Sequence, residues 1–142
     1  MGKTIKIDYK KIGGQIAEIQ KIASSKKWLF FYDNDLDSLY YSPKKIKPEF
    51  SLLSLSNEFS IYVDGQSNIG GVFIEYYKAN LGAHEKAFRP FINLFTKKID
   101  NGKTAPVGKS AVTLQLSETI KAELLSNIIT RNTSECQITI PA

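Results

Sequence analysis

Trp28-Leu29-Phe30-Phe31-Tyr32-Asp33-Asn34-Asp35-Leu36-Asp37-Ser38-Leu39-Tyr40-Tyr41 is the stretch on which the fold turns. It reads as strand, turn, strand. Aromatic side chains suit a pleated, half-buried surface, and Asp and Asn accept the left-handed and side-chain-bonded geometry of tight turns. Successive strand residues point to opposite faces, so Phe30 and Phe31 cannot both enter one core. Some of the rings of this hairpin must lie on an outer face or under a helix.

A second hairpin follows. Phe59-Ser60-Ile61-Tyr62-Val63 alternates as a half-buried strand should, Asp64-Gly65-Gln66-Ser67-Asn68 turns, and Ile69–Tyr77 is the longest strand pattern. Gly70 and Gly71 within it mark a bulge or a close backbone approach. Between the hairpins, Pro43 and Pro48 bracket Lys44-Lys45-Ile46-Lys47 in an exposed connection, and Ser51–Leu55 reads as an edge strand.

On the N-terminal side, Thr4–Ile7 reads as a short strand or ordered lead-in. Ile12, Ile16, Ile19, Ile22 and Ala23 then recur at helical spacing over residues 8–25, with Asp8 as N-cap. Gly13-Gly14 costs that helix about 1 kcal/mol per residue, either for close packing or as a plain weakness. On the C-terminal side the pattern predicts a helix over 83–97 that Pro90 must start, kink or split. A turn-rich linker over 99–109 follows, then a strand over Ser110–Leu116. A helix over 118–130 capped by Ser117 and a final strand at 137–140 complete the pattern. The expected fold class is α+β: one domain over 1–142, an antiparallel β-meander sheet packed by helices, with a C-terminal strand-helix-strand. The last segment either completes the sheet or swaps with a partner chain.

Tyr32-Asp33, then Asp37, then Leu39-Tyr40 resembles the Tyr-Asp-x-x-x-Asp-x-Leu-Tyr hairpin signature of a small bacterial family of unknown function. Val63-Asp64-Gly65 and Ile69-Gly70-Gly71-Val72-Phe73-Ile74-Glu75 resemble the second half of that pattern. The resemblance covers residues 28 to about 80. The loop Ser42–Glu58 is longer than the family's usual one, and Glu75 lies beyond the usual position. The resemblance implies a small antiparallel sheet and supplies no catalytic residues. Asp33 and Asp37 would close a turn, with Tyr32, Leu39 and Ile74 in the core.

Composition narrows the chemistry. The apolar runs are far shorter than the roughly 20 residues a membrane-spanning helix needs. The first residues lack the apolar stretch of a secretory signal. Residue 6 is Lys6 where N-myristoylation requires Ser or Thr. One cysteine, Cys136, and one histidine, His84, allow neither an intrachain disulfide nor a Cys/His zinc site. Both favour a reducing, cytoplasmic setting, where the sequon at Asn132 has no role. The net charge of +5 invites a nucleic-acid partner. Yet Arg89 and Arg131 are the only arginines among 19 Lys and Arg, and specific base contacts favour the guanidinium fork.

Individual motifs point away from enzymes. Asp33, Asp35 and Asp37 alternate, but a calcium loop starting there would need Gly and Glu where Ser38 and Lys44 stand. Gly102 and Gly108-Lys109-Ser110 are spaced one residue too wide for a P-loop and lead into a strand pattern. Adjacent His84 and Glu85 do not face one another on a helix. Cys136 has no neighbouring base and reads as a structural thiol. No serine sits in a nucleophile elbow. Val112–Leu125 only superficially resembles the start of a ribbon-helix-helix repressor, which needs a second helix.

The expectation is therefore a non-enzymatic, cytoplasmic interaction or scaffold protein that self-associates, without cofactor or metal. The alternative is a nucleic-acid-binding accessory protein using Lys26, Lys27, Lys44, Lys45, Lys47, Tyr40 and Tyr41. Rings on an exposed sheet face beside lysines form a single-stranded nucleic-acid platform as readily as a dimer interface.

Overall fold

The computed structural model describes residues 2–100, 102–106, 110–129 and 135–141. Seven antiparallel strands form the main sheet. They are β2 (Leu29–Asp33), β3 (Ser38–Ser42), β4 (Ser51–Ser54), β5 (Phe59–Val63), β6 (Ile69–Ile74), β7 (Phe95–Asp100) and β8 (Lys103–Pro106), in the order β4-β5-β6-β3-β2-β8-β7. Both predicted hairpins stand at its centre: Phe31 pairs with Tyr40, Ile61 with Val72, and Tyr40 with Phe73 where the hairpins join. The register slips at Tyr62/Val63, so the extra residue expected from the glycine pair is Gly70. The Phe50 ring lies where a Cβ on Gly70 would sit, 2.6 Å away, so the bulge is also a close approach.

Helices cover one face. α1 (Tyr9–Ala17) starts at Asp8, whose carboxylate accepts from the Lys11 amide at 3.0 Å, as a cap should. The predicted single helix breaks at Glu18, and α2 (Ile19–Ser25) carries on with Ile19 and Ala23 buried. Gly13 is the close-packing site: a Cβ there would meet Ile128 at 3.2 Å, so α1 lies hard against α4 (Ser110–Ile129). Gln15 anchors α1 to the second hairpin turn, donating to the Ser67 carbonyl and accepting from the Ile69 amide.

Three C-terminal expectations are corrected. The helix foreseen over 83–97 is a π-helical turn (Tyr77–Leu81), one turn of α3 (Gly82–His84) and a 3-10 helix (Lys86–Leu94), after which β7 begins. Pro90 sits inside the 3-10 helix, and its missing N–H is incompatible with a regular α-helical ladder there. Phe95 to Pro106, expected partly as helix and partly as linker, is the β7–β8 hairpin that widens the sheet. Gly102 makes its turn with φ of 77°, a left-handed conformation open to glycine. Ser110–Leu116, foreseen as a strand, is the first third of α4. The row Leu116, Ile120, Leu124 and Ile128 is fully or almost fully buried, so a stripe of four residues at i, i+4 spacing outweighs a short alternation. Ser117 is thus mid-helix rather than its cap.

The final strand β9 (Glu135–Pro141) pairs antiparallel along its whole length with β1 (Gly2–Asp8) in a separate two-stranded sheet, rather than completing the main one. Gly108-Lys109, Arg131 and the sequon at Asn132 lie outside the described residues. No helix among the described residues is long and apolar enough to cross a membrane.

Candidate functional site

The two faces of the main sheet differ. On the covered face Tyr41 stacks on Phe30 with ring centroids 4.0 Å apart, takes the edge of Trp28 at 5.3 Å, and shares a hydrogen bond of 3.1 Å with the Ser117 hydroxyl of α4. Burial pushes its phenol up, and the Ser117 contact partly offsets that. Tyr41 was expected among the exposed tyrosines of a nucleic-acid face; alternation from Tyr40 puts it in the core instead.

The other face carries a row of rings. Phe31 stacks on Tyr40 at 4.7 Å with planes 10° apart, and Tyr40 tilts against Phe73 at 5.0 Å. The Lys103 ammonium lies over Phe31, 5.7 Å from its centroid. One register step away, Tyr62 sits opposite Gly71 with its ring over that glycine. Phe31, Tyr40, Tyr62 and Phe73 are all partly exposed, and Leu29 and Leu52 at the two ends are 54% and 46% exposed. Burial raises the phenols of Tyr40 and Tyr62, with smaller contributions from Asp33 and from Tyr40 respectively. The rings press against each other, so they present rims to solvent more than free faces.

At one end of this row a cleft opens. β2 and β8 pair only at Tyr32–Thr104 and Asp33–Lys103. Beyond those pairs the strands part, leaving about 770 Å³ between Trp28–Phe31 on one side and Ile99, Ala105 and Pro106 on the other, with Thr113 of α4 alongside. Lys44, Lys45 and Lys103 also line the cleft, and among the described residues no carboxylate does. Of the five lysines singled out from the sequence, Lys44 and Lys45 therefore meet here. Lys26, Lys27 and Lys47 are exposed and do not line it. Sequence reasoning missed Lys103, Phe31 and Phe73, which share this face only because of strand register.

Two aspartates tie the first hairpin together. Asp33 accepts from the amides of Asp35 and Leu36 inside the turn. Asp37, left-handed at φ of 51°, reaches further. Its carboxylate accepts from the Tyr32 hydroxyl at 2.5 Å and from the amides of Lys78 and Ala79 at 2.8 and 3.0 Å, and its carbonyl accepts from Tyr77. It ties the π-helical turn to the first hairpin. Tyr32, Leu39 and Ile74 are buried, as the hairpin pattern implies.

A polar cluster lies elsewhere. Glu58 is nearly buried, and its carboxylate accepts from Asn80 at 2.5 Å and meets His84 Nε2 at 3.1 Å. His84 Nδ1 is 3.7 Å from Glu85, because Glu85 leaves the helix in an extended conformation that turns the two neighbours together after all. Burial raises the Glu123 carboxyl, as do Glu85 and Glu58, with His84 opposing. No three His, Cys, Asp or Glu among the described residues are arranged to hold a metal. Neither the cleft nor the shallow groove between Pro90 and Glu118 is lined by His84 or Glu75. The cluster clasps the 77–84 segment to the β4–β5 turn, where the Glu58 carbonyl also accepts from Glu75.

Compared with family models, curated proteins and solved structures, the chain matches none of them.

Proposed function

We propose that this chain is a non-enzymatic interaction protein of the cytoplasm that self-associates through the uncovered face of its main sheet. One observation carries the reading: Phe31, Tyr40 and Phe73 pack into one partly exposed ring surface with Tyr62 on the same face, flanked by the exposed Leu29 and Leu52. Aromatic rings supply large contact area, and one patch that meets its own copy gives a two-fold dimer, the commonest closed assembly. The test is light scattering over a concentration series. The wild-type chain should give a discrete multiple of 15.9 kDa, and Leu52→Lys with Phe73→Lys should return the monomer mass with an unchanged circular dichroism spectrum. A monomeric wild type at every concentration overturns it.

A nucleic-acid partner is the second reading, favoured by the meeting of Lys44, Lys45 and Lys103 in the cleft. Base stacking needs free ring faces, and here Tyr41 is buried while Phe31 and Tyr40 cover one another. Oligonucleotide binding that falls steeply with salt would put this reading first.

A further inference from the structure

The geometry points to the cleft between β2 and β8 as a binding site for an anionic amphiphile: a flexible acyl chain with a carboxylate head, held by the Lys44, Lys45 and Lys103 ammonium groups. The cleft shares Leu29 and Phe31 with the end of the ring row, but its occupant enters the gap between the strands, so the proposal does not rest on self-association.

Size, lining and charge agree on the occupant. A volume of about 770 Å³ falls within the ~300–1,000 Å³ typical of small-ligand sites, which are mostly apolar with a few placed polar groups. Consecutive residues of β2 point to opposite faces, yet Phe30 and Phe31 both line the cleft. The opening therefore runs edge-on between the strands, where the β2–β8 ladder has stopped at Tyr32. Such a gap suits a thin chain. A planar base is less suited, because Phe30 is already stacked on Tyr41 and Phe31 on Tyr40. The apolar walls exclude water from the tail, while three cations, with no carboxylate among the described lining residues, select a negative head.

The chain's single tryptophan, Trp28, lines the cleft and reports on it without labelling. Monomeric oleate, kept below its micelle concentration, should change Trp28 fluorescence saturably. Shortening the acyl chain should weaken binding about fourfold per methylene removed, if each buried methylene contributes as in ordinary apolar transfer. Oleyl alcohol, with the same tail and no charge, should bind about tenfold more weakly, as expected for the loss of a charge-assisted contact. Lys44→Gln with Lys45→Gln and Lys103→Gln should erase that difference between acid and alcohol while leaving the alcohol's affinity unchanged. Ala105→Phe, which fills the wall opposite β2, should weaken both. Circular dichroism confirms that each variant is folded. A folded wild type with no saturable response, affinity independent of chain length, or lysine and Ala105 variants that bind like wild type would overturn the proposal. So would a response to anionic vesicles alone with none to monomeric oleate, because that would mean attraction to a charged lipid surface.

Discussion

Tyr40 and Tyr41 are neighbours in the chain with opposite surroundings. Tyr41 stacks on Phe30, meets Trp28 and satisfies its hydroxyl on Ser117; Tyr40 stacks on Phe31 and tilts against Phe73 with no described helix above it. Identical side chains thus serve stability on one face and leave surface for contact on the other, and strand alternation makes the assignment. The strongest way to break this contrast is to truncate one ring on each face. Phe59, 1% exposed and packed on Phe88, should cost about 3–5 kcal/mol as Phe59→Ala, the range for a buried aromatic. Phe73→Ala on the open face should cost about 1 kcal/mol or less, since surface changes are small, while weakening self-association. Urea denaturation of the two variants measures both. Equal losses would mean that the outer row is core in solution.

A smaller effect separates the two ends of the first hairpin. Asp37→Ala removes the acceptor for Tyr32 and for two backbone amides of the π-helical turn, and puts alanine at a left-handed position. Losing charged hydrogen bonds of this kind costs about 2 kcal/mol. Asp37→Asn keeps an acceptor and a residue tolerant of that backbone, so it should retain about half the loss or less. Asp33→Ala, which empties only a local exposed turn, should lose less still. The order Asp37, Asp33 in urea midpoints is the check.

What the sequence disclosed follows the same division between local and distant causes. The two central hairpins were legible because their signals are local: alternation, Asp-rich turns and a glycine pair within about twenty residues. Asp37 was legible as a turn residue but not as the acceptor for Lys78 and Ala79, which lie some forty residues away. Phe95 was misread because it continues the helical spacing of Phe91. Its strand identity comes from pairing with Pro106, across a turn that looked like a linker. Val112, Leu114 and Leu116 alternate convincingly, yet Leu114 is 54% exposed and Leu116 belongs to the buried helical stripe. The cleft had no signal at all. It exists because β8 parts from β2 after two residue pairs, which joins positions about seventy residues apart.

The finest test concerns a hydroxyl on the covered side that has not been satisfied as Tyr41's has. Tyr77 is fully buried, lies 6.0 Å from the Tyr32 ring and 5.9 Å from Phe95, and its hydroxyl has no hydrogen-bond partner among the described residues. A buried polar group without a partner costs stability, so Tyr77→Phe should stabilise the fold, by about 1 kcal/mol. Tyr41→Phe, which breaks the bond to Ser117, should do the reverse by a similar amount. Alkaline pH sharpens the contrast. Burial, and then the neighbouring Tyr32, pushes the Tyr77 phenol far above its ordinary value of 10.0. A group whose folded value is raised contributes stability that is complete below its unfolded value and is lost as pH rises through the folded one. The wild type should therefore lose melting temperature above about pH 10, the unfolded phenol's value, and Tyr77→Phe should flatten that decline because the buried phenol is gone. If Tyr77→Phe lowers the melting temperature at neutral pH, its hydroxyl has a partner, and the contrast with Tyr41 fails at that residue.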